Sequence, residues 1–177
     1  GYAGTGKTTI ISTVVNHLNP LGIKSVLLAP TGRAAKVMGG YAKRPSLTIH
    51  KKIYYPKNDP NTGMSFVLQQ NKHRNTIFIV DEASMIGSTL FAKLLDAIDP
   101  EKTRLIILGD ANQLASVDVG SLFGDICLTQ EHCLNCFTTE SKLFLNSFLN
   151  LQHQLSVDSF VLNNSHKNSL SEHIIEL

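Results

Sequence analysis

The sequence predicts an α/β domain built on a parallel sheet, and three features carry that prediction. Residues 25–29, 76–80 and 105–108 are short apolar runs in which only the opening residues Ser25 and Thr76 are polar, the pattern of strands buried on both faces. Each run stops at a turn-forming or charged residue, Pro30, Asp81 or Gly109. Segments of helical period precede or separate them, and that order requires right-handed crossovers between parallel strands.

Taken in order, residues 10–18 follow a glycine-rich turn and place Ile10, Ile11, Val14, Val15 and Leu18 on one face of a helix. Ser25-Val-Leu-Leu-Ala29 is the first strand, closed by Pro30. Residues 57–63, Lys-Asn-Asp-Pro-Asn-Thr-Gly, are polar and turn-rich and predict a loop inside the domain. Thr76-Ile-Phe-Ile-Val80 is the second strand. Leu90, Leu94, Leu95 and Ile98 then recur at helical spacing until Asp99-Pro100 ends the helix. Leu105-Ile-Ile-Leu108 is the third strand. Beyond about residue 128 the alternation fades, and only residues 170–177 suggest another helix. The first domain is therefore drawn as 1–128, with 129–177 as its continuation.

A length of 177 residues suits one domain or a fragment of a larger protein. Hydrophobic residues at 42% and charged residues at 17% exclude a disordered or low-complexity chain. No apolar run approaches the ~20 residues of a membrane-spanning helix, and no secretory signal opens the chain, so the expected location is cytoplasmic, with no membrane partner. The net charge of +2 conceals two opposite halves. Residues 1–75 hold eleven Lys and Arg against Asp59, and residues 76–177 hold five against thirteen acids. Two readings of the basic half stand: a polyanion-binding surface, or a solvated face neutralised by the second half. The three cysteines, Cys127, Cys133 and Cys136, also leave two readings. They are structural or incidental thiols, or with His132 they hold a metal, although a single CxxC lacks the second pair of a typical zinc site.

Gly1-Tyr-Ala-Gly-Thr-Gly-Lys-Thr8 fits G-x-x-x-x-G-K-[ST] and leads straight into a helical pattern. In such a loop the backbone N–H groups curl around phosphates, assigning Gly1, Ala3, Gly4, Thr5, Gly6, Lys7, Thr8 and Thr9 to a nucleotide. Lys7 reaches the β- and γ-phosphates, and the Thr8 hydroxyl ligates Mg²⁺. A phosphate loop joins a strand to its helix, yet here the motif starts at residue 1. The expectation is a chain truncated before that strand, leaving a central sheet position empty. Asp81 and Glu82 stand just past the carboxyl end of a strand, where parallel sheets hold ligands. Asp81 suits Mg²⁺, and Glu82 suits the orientation or deprotonation of an attacking water. Gln113, just past the third strand, is either a γ-phosphate sensor or a turn residue. Arg33, Lys36, Lys43, Arg44, Lys51, Lys52 and Lys57 are interleaved with Tyr41, His50, Tyr54 and Tyr55, the mixture of cations and rings that suits single-stranded nucleic acid. Pro30, Thr31, Gly32 and Arg33 form a strand end and helix start able to grip a nucleic-acid phosphate.

Together, residues 1–9, 29–35, 48–51, 80–85 and 108–117 resemble, in order and spacing, motifs I, Ia, Ib, II and III of RecD-like superfamily 1 DNA helicases. The segment from Gln113 to Cys127 is especially similar to the exodeoxyribonuclease V alpha subunit family. The resemblance covers about residues 1–127 and implies a RecA-like P-loop NTPase domain with ATP and Mg²⁺ as cofactors. It makes Lys7, Asp81, Glu82 and Gln113 catalytic, Thr8 and Asp81 the metal contacts, and Pro30, Thr31, Gly32, Arg33, Thr48, His50 and Lys51 the DNA side. It further implies ATP-driven 5′→3′ translocation on single-stranded DNA in recombinational repair of double-strand breaks, beside RecB-like and RecC-like subunits.

Two departures accompany the resemblance. Leu162-Asn-Asn-Ser-His-Lys167 occupies the region of a Ser-Tyr-Arg-Phe segment, so Lys167 stands where the family has the motif IV arginine, without its guanidinium fork. Motifs V and VI, with the second RecA-like domain, are absent from these residues, and the isolated chain is expected to be inactive. The alternatives to a helicase motor are a non-catalytic remnant or assembly module, and a stand-alone or relaxase-fused RecD-like helicase.

Overall fold

The computed structural model describes residues 6–61, 63–113, 118–120, 122–128 and 139–147. The chain divides into two compact units, Gly1–Gly124 and Asp125–Leu177. The first unit alternates helix and strand: α1 (Lys7–Leu18), β1 (Lys24–Ala29), α2 (Gly32–Ala42), β2 (Ser46–Thr48), α3 (Ile49–Ile53), β3 (Tyr54–Asp59), β4 (Gly63–Leu68), β5 (Thr76–Val80), α4 (Ser88–Ala97) and β6 (Thr103–Ile107). A 3₁₀ turn, Ala83–Met85, follows β5. The helix α5 (Leu122–Leu128) begins at the end of this unit, and α6 (Thr139–Asn146) lies in the second.

Four strands form a parallel sheet in the order β2-β1-β5-β6. The register pairs Leu28 with Val80 and Val80 with Ile107, so these strands end level with one another. Each has a reason to be a strand. In β5, Phe78, Ile79 and Val80 are all buried, and their alternating directions serve two cores. Leu28, Phe78 and Val80 meet Ile49 and Ile53 of α3 and Leu94 and Ala97 of α4 on one face. Leu27 and Ile79 meet Ile11 and Val15 of α1 and Met38 and Ala42 of α2 on the other. Burying a side chain such as Phe78, fully enclosed, contributes about 2–3 kcal/mol. The expected α/β fold with a parallel sheet covered by helices is borne out.

Three expectations shift in detail. Within α1 the buried stripe is Ile11 and Val15, with Val14 packed beside it, while Ile10 is exposed. The third strand begins two residues earlier than its apolar run, because Thr103 is buried and pairs with Thr76. The polar stretch at 57–63 is not a simple loop. Lys57, Asn58 and Asp59 lie in β3, which pairs antiparallel with β4 from Tyr54↔Leu68 to Asp59↔Gly63. Cross-strand pairing overrides the low strand propensity of Asn and Asp here. Tyr54 and Leu68 tie the base of this hairpin to the core, and Met64 and Phe66 are exposed farther out.

Candidate nucleotide site and nucleic-acid face

Parallel pairing brings the described residues that follow β1, β2, β5 and β6 to one end of the sheet, beyond the carboxyl ends of its strands. Past β1 stand Pro30 and Thr31, at the end of β2 Thr48 with His50 just beyond it, past β5 Asp81 and Glu82, and past β6 Gly109 and Asp110.

Gly6 caps α1 with φ 83°, a left-handed conformation that a side chain resists, and so turns the chain into the helix that starts with Lys7. Lys7 is half-buried, and its charge reaches both Asp81 and Glu82. Thr9 is exposed on the same first turn. Gly1, Ala3, Gly4 and Thr5 lie outside the described residues, as does the side chain of Thr8.

Asp81 is 8% exposed. Its N–H donates to the Leu28 carbonyl (3.0 Å), and its Oδ1 accepts from the Glu82 N–H (2.9 Å). Burial raises its pKa, opposed by that N–H and by the charge of Lys7. Glu82, half-buried, is also pushed up, first by burial, then by the neighbouring Asp81 charge and more weakly by Asp110, against the pull of Lys7. Its backbone sits at φ 54°, ψ 41°, a left-handed conformation uncommon for a residue with a side chain. Hydrogen bonds on both sides hold it there: Asp81 N–H to Leu28, and Ala83 N–H to the Leu108 carbonyl (2.9 Å). The charges of Asp81, Lys7 and Asp110 all act on the Glu82 carboxylate.

Asp110 is the member of the cluster that sequence reasoning missed. It is 4% exposed, and its Oδ1 accepts from the Asn112 N–H (3.1 Å) while its carbonyl accepts from the Gln113 N–H (3.1 Å). This turn presents Gln113 on the exposed rim. Behind it, Gly109 lies against the Phe123 ring so closely that a Cβ would sit 2.8 Å from Cε1. The signal that could have found Asp110 was its position shortly past the end of a buried strand, the same signal that identified Asp81.

Lys7, Asp81, Glu82 and Asp110 thus form one electrostatic cluster, with desolvated acids facing a cation at a helix start. Oxygen donors of this kind fit Mg²⁺, and a divalent ion would relieve the raised proton affinity of Asp81 and Glu82. Among the described residues no three His, Cys, Asp or Glu side chains converge on a common metal position. The zinc reading of the cysteines falls largely outside the described residues, since Cys133, Cys136 and His132 are not among them; Cys127 is a half-buried thiol.

On the adjoining part of that end of the sheet, Thr31 and Thr48 are helix caps. Thr31 Oγ1 accepts from the Ala34 N–H (3.2 Å) and Thr48 Oγ1 from the Lys51 N–H (3.2 Å). Each hydroxyl keeps its proton to donate outward. Gly32, Arg33, His50 and Lys51 are exposed beside them, and the His50 ring stacks on Tyr54 with centroids 6.1 Å apart.

A phosphate-loop lysine at a helix start and two acids past a central strand, on a helix-covered parallel sheet, define a RecA-like P-loop fold. The family model described as AAA domain matches residues 1–136, and the chain belongs to that family. It is 36% identical over 120 residues to the ATP-dependent RecD2 DNA helicase of Deinococcus radiodurans, covering 68% of this chain and 16% of that protein. It is 33% identical to the RecBCD enzyme subunit RecD of Haemophilus influenzae, with 71% of this chain and 23% of the relative covered. For the RecD subunit of Mycobacterium tuberculosis the values are 31%, 71% and 25%. The RecD-like resemblance read from the motifs is borne out, and the chain spans between 16% and 25% of the length of these curated relatives. Among the described residues no helix is long and apolar enough to cross a membrane.

Proposed function

We propose that this chain is the ATP-hydrolysing motor domain of a RecD-like DNA helicase. It couples hydrolysis to 5′→3′ movement along single-stranded DNA in the repair of double-strand breaks, in the cytoplasm, beside RecB-like and RecC-like subunits. The observation that carries the reading is the gathering of Lys7, Asp81 and Glu82 at the same end of the sheet as the starts of α2 and α3.

In this reading Lys7 binds the β- and γ-phosphate oxygens of ATP, and the first N–H groups of α1 add the positive end of the helix dipole. Thr8 and Asp81 hold Mg²⁺, which when bound offsets phosphate charge. Glu82 orients the attacking water and accepts its proton, a role suited to a carboxylate whose proton affinity is raised. Gln113, set by the Asp110 turn, contacts the γ-phosphate and reports its loss. Thr31, Thr48, Arg33, His50 and Lys51 hold DNA phosphates and bases on the adjoining face. Phosphoryl transfer asks mainly for positioned charge, which this cluster supplies.

Lys7→Ala tests the reading in the intact protein. It should abolish ATP hydrolysis and unwinding while single-strand binding largely survives. Hydrolysis at the wild-type rate in this variant would refute the phosphate-loop assignment.

A further inference from the structure

We propose that Lys52 is a nucleophilic amine and a site of covalent acylation, with His73 as the base that takes its proton and an activated acyl compound, a thioester or an acyl phosphate, as the second reactant. Lys52 stands on α3, and His73 lies on the link between β4 and β5. Lys52 Nζ is 2.9 Å from His73 Nε2, a contact between residues 21 apart in sequence. An ammonium has no acceptor, so Nε2 is the acceptor and the ring is the neutral Nδ1–H tautomer.

The geometry is held from behind. Phe78, fully buried in β5, meets the His73 ring edge-on, with centroids 5.6 Å apart and planes at 77°. That contact sets one side of the imidazole against the core. Burial pushes the Lys52 ammonium down from its ordinary value. His73 is also held below the usual histidine range, by burial first and then by the charges that face it, Lys52 from α3 and Lys24 from β1. Its ring is thus neutral near pH 7, the state a base must be in. A half-buried amine beside a fixed acceptor is the arrangement that activates a lysine nucleophile.

The step balances without a redox partner. The ammonium yields a proton to Nε2, and the freed lone pair forms the N–C bond to the acyl carbon. The C–S or C–O bond breaks, and its electron pair leaves on the thiolate or phosphate, while solvent takes the second proton. The product amide is neutral, so α3 loses one positive charge next to Lys51.

The test incubates the intact folded protein with acetyl-CoA in one arm and acetyl phosphate in the other, then reads the modified fraction of each lysine by peptide mass spectrometry. Lys51, exposed on the same helix, is the internal standard. Lys52 should react about tenfold faster than Lys51, a modest share of the hundredfold or more that a positioned base supplies. The arm in which the advantage appears identifies the donor class. His73→Gln should bring Lys52 down to the rate of Lys51. In case that variant fails to fold, the wild-type protein in urea provides the same comparison, and the advantage should vanish there. Equal rates for Lys51 and Lys52 in the folded protein in both arms, or an advantage that survives His73→Gln or urea, would overturn the proposal.

Discussion

Replacing Glu82 with glycine should stabilise the protein and, on the proposed function, remove ATP hydrolysis by the intact protein. Glu82 is held at φ 54° by hydrogen bonds on either side, Asp81 N–H to Leu28 and Ala83 N–H to Leu108. A left-handed conformation costs a residue with a Cβ about 1–2 kcal/mol. Glycine removes that cost, but its greater freedom in the unfolded chain takes back about 0.5–1 kcal/mol. A net gain of about 1 kcal/mol remains. Losing a half-buried carboxylate that faces Asp81 and Asp110 adds to it. Glu82→Ala separates the two contributions, because alanine removes the charge and keeps the Cβ. With a urea dependence of about 2 kcal/mol per molar, the glycine variant should unfold at a midpoint about 0.5 M above that of the alanine variant. Neither variant should hydrolyse ATP. Coincident midpoints, or a lower one for glycine, would show that the strain at this position does not exceed the extra unfolded-state freedom of glycine, against the gain worked out above.

Gly109→Ala should cost about 1–3 kcal/mol, because the new methyl would lie 2.8–3.2 Å from three atoms of the Phe123 ring, and Gly109→Ala combined with Phe123→Leu should recover part of it in the same urea titration. Replacing Lys43, Arg44, Lys51 and Lys52 together with Ala should weaken single-strand binding, and every cation–phosphate pairing so removed should reduce the log–log salt slope by about 0.7; an unchanged slope would make these side chains a solvated face. His73 is held below its ordinary value of 6.5, so the unfolded chain binds its proton more tightly than the folded one. Stability should therefore fall as pH drops through 6.5 toward the folded value, and thermal melts of His73→Gln should lack that component.

The parts of the fold legible in the sequence are those whose cause is local. Residues 76–80 read as a strand because an unbroken apolar run suits a segment facing two cores, and β5 occupies those five residues. The helix after Lys7 and the one before Asp99 follow from apolar spacing alone. The hairpin was not legible: residues 57–63 read as a loop, but Lys57, Asn58 and Asp59 became strand through pairing with residues 63–65. Thr31 was readable as a polar residue past a strand end and Thr48 through the family motif, whereas their work as caps of α2 and α3 depends on the helix geometry that follows them.

The α/β class, the phosphate loop and the two acids past β5 follow from the order of residues along the chain, since motif spacing and hydrophobic period act over a few positions. The strand order β2-β1-β5-β6, which sets motifs from distant segments at one end of the sheet, came only with the packed fold. That order brings the charge of Asp110 within reach of Glu82, pins Glu82 in a left-handed conformation between two neighbouring strands, and brings Lys52 within 2.9 Å of His73. Each of these depends on which surfaces share a core, and which distant segments meet there is a property of the packed chain that no local pattern encodes.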